Sequence, residues 1–306
     1  MLLQSVLERL NIRADGTYID GTFGRGGHSR EIWKRLGRTG RLLAIDRDPQ
    51  AVAAVDPTMN EKTGFEIVKG EIADIREIAA RRKMLGKVDG ILFDLGVSSP
   101  QLDDAERGFS FRIDGPLDMR MDPDSGASAR EWLAQVEEKD LKRVLAEFGE
   151  ERFAGRIAKA IIAARARAPV TRTSQLARIV ADAVPKAAQR RGEQRKHPAT
   201  KTFQAIRIQV NGELQQIEKA LAATTALLVR GGRLCVITFH SLEDRIVKRF
   251  MRNAAREPEA WRGLPTIPEA ARPPFRVIGK AVTPTAAEIE ANPRARSARL
   301  RTAERL

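Results

Sequence analysis

The sequence predicts an α/β protein: a doubly wound parallel sheet whose chain leaves after the fourth strand to build a small all-helical insertion. Three observations predict it. Up to Asp94, short apolar runs alternate with helix-period stretches in the order β-α-β-α-β-α-β. Beyond Asp94 the alternation stops, and four helix-period stretches follow one another with no strand between them. A last strong apolar run, Arg233 to Phe239, follows Gly231-Gly232 and returns the chain to the sheet.

Leu2, Leu3, Val6, Leu7 and Leu10 have helical spacing, and a turn leads into strand one at Tyr18-Ile19. That strand ends at Asp20 and opens into Gly21-Thr22-Phe23-Gly24-Arg25-Gly26-Gly27-His28-Ser29, with Ile32, Trp33 and Leu36 forming a helix face behind it. Strand two, Arg41 to Ile45, ends at Asp46. Asp48-Pro49 then supplies an N-cap and a first-turn proline, which leaves Asp46 free for a ligand. Phe65 to Val68 reads as strand three, Ile72 to Leu85 as a helix, and Val88 to Asp94 as a strand buried on both faces.

Leu95 to Gly126 is too long and too rich in Gly and Pro for an ordinary connection, which marks it as functional. Ser128-Ala-Arg-Glu131 is a capping box ahead of Trp132, Leu133 and Val136. Helices follow over Leu141–Phe148, Phe153–Ala164 and Leu176–Val184, and Lys186 to Pro198 is a basic linker. From Phe203 to Leu228 the apolar period is near 3.5, with Asn211-Gly212 as a point where one helix or two could be built. Ser241-Leu242-Glu243-Asp244 reads as the cap of a helix carrying Ile246, Val247 and Phe250, Pro258 to Pro274 as loop, and Phe275–Gly279 and Ala298–Thr302 as two final strands. The expected sheet domain is therefore residues 1–102 with 199–306, and the inserted helical, substrate-recognising domain with its basic linker is 103–198.

Of 306 residues, 42% are hydrophobic and 31% charged, which describes a globular chain. No apolar run approaches the roughly 18–20 residues of a membrane span, and Glu8 and Arg9 break any signal-peptide pattern at the start. One cysteine and three histidines leave no disulfide framework and no zinc cluster, so no metal is expected and a cytoplasmic location is. The net charge is +14. From Glu151 to Asn211 fourteen basic residues face three acidic ones, the footprint of a nucleic-acid partner rather than of a membrane.

A glycine-rich loop alone says little about chemistry. Here, starting Gly-x-Gly-x-x-Gly at Gly24 puts Ser29 where the third glycine should be, so the dinucleotide fingerprint fails. Asp46 lies at the end of strand two, where a carboxylate accepts hydrogen bonds from a ribose diol. Asp94 opens into Leu95-Gly96-Val97-Ser98-Ser99-Pro100-Gln101, a carboxylate, two hydroxyls and an amide after the carboxyl end of strand four. This set suits S-adenosylmethionine, with glycine backbone near the methionine part, Asp46 on the ribose and the strand-four loop toward the methyl group. Asp94, Ser98, Ser99 and Pro100 are the candidate catalytic residues. Plainer roles compete: strand end for Asp46, turn for Asp94, first-turn residue for His28, core for Phe109 and Phe111, and support of the same crevice for His240.

Seven stretches together resemble one family. They are Asp20-Gly-Thr-Phe-Gly-Arg-Gly-Gly-His-Ser29, Asp94-Leu-Gly-Val-Ser-Ser-Pro-Gln-Leu-Asp103, Gly108-Phe-Ser-Phe111, Pro116-Leu-Asp-Met-Arg-Met-Asp122, Lys196-His-Pro-Ala-Thr-Lys-Thr-Phe203, Phe239-His-Ser-Leu-Glu-Asp-Arg-Ile-Val-Lys-Arg-Phe250 and Asn292-Pro-Arg-Ala-Arg-Ser297. The chain is similar nearly end to end to the ribosomal RNA small-subunit methyltransferase H family (RsmH, formerly MraW). The resemblance implies a Rossmann-like class I S-adenosylmethionine-dependent methyltransferase with an inserted helical domain. It implies methylation of the N4 amine of a cytosine in the decoding (P-site) region of 16S rRNA, within the small ribosomal subunit. It places cofactor contacts on Gly26, Gly27, His28, Asp46, Asp94 and Gln101. A further contact falls near Ile72, where this chain reads Gly70-Glu71-Ile72 and the family often has Gly-Pro-Phe. The family usually carries a short His- and Pro-containing segment before the equivalent of Leu2-Leu3, so the true start is left open. Two other readings remain: a non-catalytic RNA-binding or assembly protein on the same fold, and a DNA amino-methyltransferase. The oligomeric state, a homodimer included, is not fixed by the sequence.

Overall fold

The computed structural model describes residues 1–61, 63–185, 197–257, 259–261 and 268–306. Most of the basic linker expected at Lys186 to Pro198, and part of the Pro-rich stretch Pro258 to Pro274, lie outside the described residues. The strands are β1 (Thr17–Asp20), β2 (Arg41–Asp46), β3 (Phe65–Lys69), β4 (Val88–Asp94), β5 (Leu228–Thr238), β6 (Phe275–Val277) and β7 (Arg299–Arg305). The helices are α1 (Leu3–Leu10), α2 (Gly27–Arg35), α3 (Pro49–Ala53), α4 (Ile75–Ala80), α5 (Ser99–Asp103), α6 (Ala129–Gln135), α7 (Glu138–Glu147), α8 (Ala154–Arg165), α9 (Thr173–Ala183), α10 (Thr200–Asn211), α11 (Glu213–Leu227), α12 (Ser241–Ala254) and α13 (Ala286–Ala291). None of the described helices is long and apolar enough to cross a membrane. The chain forms two compact units, Met1–Gly96 with Leu214–Leu306, and Val97–Glu213.

In the first unit the strands lie in the order β3-β2-β1-β4-β5-β7-β6, all parallel from β3 to β5, with β7 antiparallel to both its neighbours. Side chains alternate between faces, as a period of two requires. Leu43, Ile45, Ile91, Phe93, Leu234 and Val236 pack on one side with Ile75 and Ile78 of α4, Ile217 and Leu221 of α11, and Val247 of α12. Leu42, Ala44, Leu92, Cys235 and Ile237 pack on the other with Val6 and Leu10 of α1 and Ile32 and Trp33 of α2. Both faces are covered, so the strands read as near-continuous apolar runs in the sequence. The strand order reverses between β1 and β4, and a crevice at that point, outside the carboxyl ends of the strands, is where this Rossmann-like architecture binds ligands.

The second unit is helical and has its own core, with Leu133, Leu141, Val144, Ile157, Ile161, Leu176, Val180, Phe203 and Ile206 buried together. It runs from Val97 to Glu213 rather than over 103–198. The reason is α10: Phe203 and Ile206 bury in this helical core, a preference of roughly 1.5–3 kcal/mol for each side chain. Asn211-Gly212 does separate two helices, since Gly212 sits at φ 59° and ends α10. Two other expectations move. The helix expected from Ile72 to Leu85 is a 3-10 turn at Ile72–Asp74 followed by α4. Strand five begins at Leu228, so Gly231-Gly232 lies inside it, where the pairing with β4 shifts register between Val88 and Gly90.

The long segment after α5 is pinned rather than free. Asn211 accepts from the Met121 N–H (2.8 Å) and donates to the carbonyls of Met119 (2.8 Å) and Arg207 (2.9 Å). The buried Arg107 guanidinium donates to the carbonyls of Arg120 (3.1 Å) and Met121 (2.8 Å). Gly115 lies so close to Ala105 that a Cβ there would overlap the Ala105 carbonyl oxygen, a backbone atom that cannot swing aside. Gly115→Ala is therefore expected to destabilise the protein by about 3 kcal/mol. Denaturant unfolding checks this, and an unchanged midpoint would count against the packing.

Candidate active site

Three strand ends and one loop build the crevice in the first unit. Asp20, at the end of β1, is buried and accepts from the Ser29 hydroxyl (2.6 Å) and the Thr22 N–H (3.1 Å), which staples the loop to the first turn of α2. The loop is then tied sideways. Gly21 N–H donates to Leu92 O of β4 (2.9 Å) and Phe23 N–H to Ile45 O of β2 (3.0 Å). The Thr22 hydroxyl accepts from the N–H of Asp94 (2.6 Å). Gly26 caps α2 at φ 71°, a left-handed backbone that favours glycine. Gly27 opens the helix, and a Cβ added there would meet no atom within 4 Å. The main chain of α2's first turn is thus open on that side.

Asp46 differs from its expectation. It is not free, because its two oxygens accept from Gly24 N–H (2.7 Å) and Asp48 N–H (2.9 Å). Asp48 does cap α3, through Gln50 N–H at 3.0 Å. Each Asp46 oxygen keeps a second lone pair, so the carboxylate can still accept from a diol while it fixes the loop. Ile72 is half-buried, and its Cγ2 lies 3.5 Å from the position a Gly21 Cβ would take, which brings it to the same loop. Beside it, Glu71 is paired with Arg47 at 3.2 Å and accepts from Gln216, whose own amide oxygen holds Ala73 N–H at 3.1 Å.

Asp94 and His28 form the charged centre. The Nδ1 of the buried His28 is 3.5 Å from Oδ2 of Asp94, and its Nε2 is 3.0 Å from the carbonyl of Met1. A carbonyl only accepts, so Nε2 carries the hydrogen and Nδ1 faces the carboxyl group. The other oxygen, Asp94 Oδ1, is buried and has no hydrogen-bond partner among the described residues. Burial pushes the Asp94 carboxyl up to about 7; the nearby amino terminus lowers it and the charge of Glu243 raises it. Burial likewise pushes His28 down. Both shifts favour the uncharged form of each group, which for Asp94 means a proton on the carboxyl group below about pH 7. A cation brought against Asp94 would release that proton and give the orphaned oxygen a partner. Asp46 and Asp94 thus place two carboxylates at the strand ends, acceptors suited to a cationic ligand carrying a diol, while the buried Asp20 holds the loop.

The helical unit holds the remaining candidates. Ser98 caps α5 in a capping box with Gln101, whose amide oxygen accepts from Ser98 N–H at 2.9 Å; Ser99 and Pro100 are the first two residues of that helix. Gln101 is buried in this role. At the end of β5 the helix cap is His240, one residue earlier than Ser241, which was the expected cap. The fully buried Glu243 accepts from Phe239 N–H (2.7 Å) and His240 N–H (3.2 Å). Asp20, Thr22 and Glu71 carry no site role in the sequence reading. Their signal was position alone, at or just after the carboxyl ends of β1 and β3.

Among solved structures, the chain is similar to an rRNA methylase from Streptococcus thermophilus, at 12% identity and a TM-score of 0.41, covering 99% of this chain and 95% of that one. It is also similar to a SAM-dependent methyltransferase from Aquifex aeolicus, at 11% identity and a TM-score of 0.42, covering 99% and 89%. The MraW methylase family matches residues 1–306, the full length. With that match from end to end over a doubly wound sheet, the chain belongs to the MraW methylase family and its methyl donor is S-adenosyl-L-methionine.

Proposed function

We propose that the protein methylates the exocyclic N4 amine of a cytosine in the decoding region of 16S rRNA, in the small ribosomal subunit. The observation that carries the choice of an amine over a ring carbon is Cys235. Methylation at a cytosine ring carbon proceeds through a covalent adduct with a thiolate. Cys235 is fully buried in β5, and burial pushes its thiol up to about 12. With one cysteine in the sequence, that route has no nucleophile. An amine needs none: its nitrogen attacks the methyl carbon, the sulfur–carbon bond breaks, and one N–H proton leaves.

In this reading the first turn of α2 at Gly26 and Gly27 receives the methionine part, Asp46 accepts from the ribose hydroxyls, and Ile72 packs on the adenine. Asp94 carries the ionised oxygen that accepts hydrogen bonds at the reacting end, and His28 lies beside it with Nδ1 3.5 Å from Oδ2. Ser98, Ser99 and Pro100 as candidates for the target side, and Gln101 as the cofactor contact that the family resemblance implies, belong to the same proposal. The fourteen basic residues between Glu151 and Asn211 support an RNA substrate.

The test is methyl transfer from radiolabelled S-adenosylmethionine to small subunits from a strain lacking this protein, with the labelled nucleotide mapped by nuclease digestion and mass spectrometry. N4-methylcytosine at one decoding-region position is expected. Label on a ring carbon or on DNA instead would overturn the assignment, and bound cofactor with no transfer would favour an assembly protein on a methyltransferase fold.

A further inference from the structure

Deepening that reading, and resting on it, we infer that Ile113 is a wedge that enters the base stack of the rRNA substrate, with Arg112 beside it on the backbone phosphate. Ile113 is 60% exposed, above Val277 at 44%, Leu85 at 41% and Leu306 at 40%. A lone exposed apolar residue is ordinary on a protein surface. This one differs in how it is held. On its amino side Phe111 packs against the ring of His197 (centroids 4.6 Å apart) and edge-on against Phe203 (4.8 Å). Arg112 N–H donates to the Ser110 hydroxyl at 3.2 Å.

On its carboxyl side Asp114 accepts from Arg172 Nε (2.5 Å) and Ser174 N–H (3.0 Å), and Arg172 holds the Asp114 carboxyl well below the usual carboxylate range. Gly115 and Thr173 exchange two more bonds, N–H to hydroxyl at 3.0 Å and carbonyl to N–H at 2.9 Å. Arg112 and Ile113, the first two of three consecutive exposed residues, therefore form the tip of a loop fixed on both sides by the helical unit. Holding a branched apolar side chain in water on a rigid support gains nothing for the fold. Placed between two bases, it replaces lost stacking, as apolar wedges do in proteins that open nucleic-acid stacks. A cytosine amine within structured RNA must be unstacked before a methyl group can reach it in line.

The exposed Arg112 fits this partner, while Arg172 is matched by its pair with Asp114 and serves to hold the loop. The experiment compares wild type with Ile113→Asn, Ile113→Leu and Ile113→Met on small subunits from a strain lacking the protein. One readout is the single-turnover rate of methyl transfer. The second is the dimethyl sulfate reactivity of rRNA bases in the bound complex, which reports exposure of adenine N1 and cytosine N3 as bases are opened, without any enzymatic transfer. Ile113→Asn is expected to slow transfer on the order of 10-fold and to lose the reactivity increase, with subunit binding within about 3-fold of wild type. Leu and Met are expected to retain both. Equal rates and reactivities for wild type and Ile113→Asn would overturn the wedge, as would Leu and Met variants as impaired as Asn. If wild type transfers no methyl group yet raises base reactivity in an Ile113-dependent way, the wedge stands and the catalytic reading fails.

Discussion

Asp94→Asn is expected to reduce methyl transfer by about 10²–10⁴-fold, the range for removal of a positioned acid–base group, and to change how cofactor binding depends on pH. The wild-type carboxyl titrates at about 7 because it is buried, and a cationic ligand favours its ionised form. Below pH 7 the proton must leave on binding, so affinity is expected to rise by up to about 10-fold per pH unit as pH approaches 7, and to level off above it. The Asn variant should show no such slope. Isothermal titration in buffers of different ionisation enthalpy measures the released proton directly. Stability should respond in the opposite sense. The folded pKa lies above the unfolded one, so wild type loses stability as pH rises from about 4 through 7, and Asp94→Asn removes that loss. The variant is thus expected to melt higher than wild type at pH 8 while turning over far more slowly. Turnover near the wild-type rate would remove Asp94 from the site. Intact cofactor affinity with lost turnover would place its role on the cytosine side.

Gly27→Val is expected to leave the fold intact and to weaken S-adenosylmethionine binding by about 100-fold or more, a loss of roughly 3 kcal/mol. Gly27 is the first residue of α2, exposed, and a Cβ there meets nothing within 4 Å. Valine has a better helix propensity than glycine, so thermal stability should hold or rise slightly. A ligand lying against the N–H groups of that first turn would meet the new side chain. Gly26→Ala is the contrasting control. Its φ of 71° and a Cβ position 2.7 Å from the Phe23 ring predict that it loses stability and binding together. Equal cofactor affinity in wild type and Gly27→Val, by calorimetry, would remove the α2 turn from the binding surface.

The sequence shows what depends on neighbours along the chain. Asp48 ahead of Pro49 announced its cap, and the Ser128 capping box announced α6, because both ends of each interaction lie within four residues. The strands β1 to β4 were legible because a parallel sheet covered on both faces leaves apolar runs. The engagement of Asp46 is not legible because both its partners, Gly24 and Asp48, meet it through backbone N–H groups, which leave no mark in the sequence. The same holds for Thr22, which meets the N–H of Asp94. Periodicity made α10 a helix but could not say which core Phe203 and Ile206 enter, so the unit boundary fell short of Glu213. At Gly231-Gly232 a register shift in β5 imitated a helix stop.

Strands β4 and β5 are hydrogen-bonded neighbours, with Asp94 opposite Ile237, yet the whole of Val97–Glu213 lies between them in the chain. During synthesis the apolar edge of β4 must therefore wait for its partner while the helical unit, which has its own core, emerges from the ribosome. Nascent chains that stop before Leu228 would keep that edge unpaired, a ready template for aggregation.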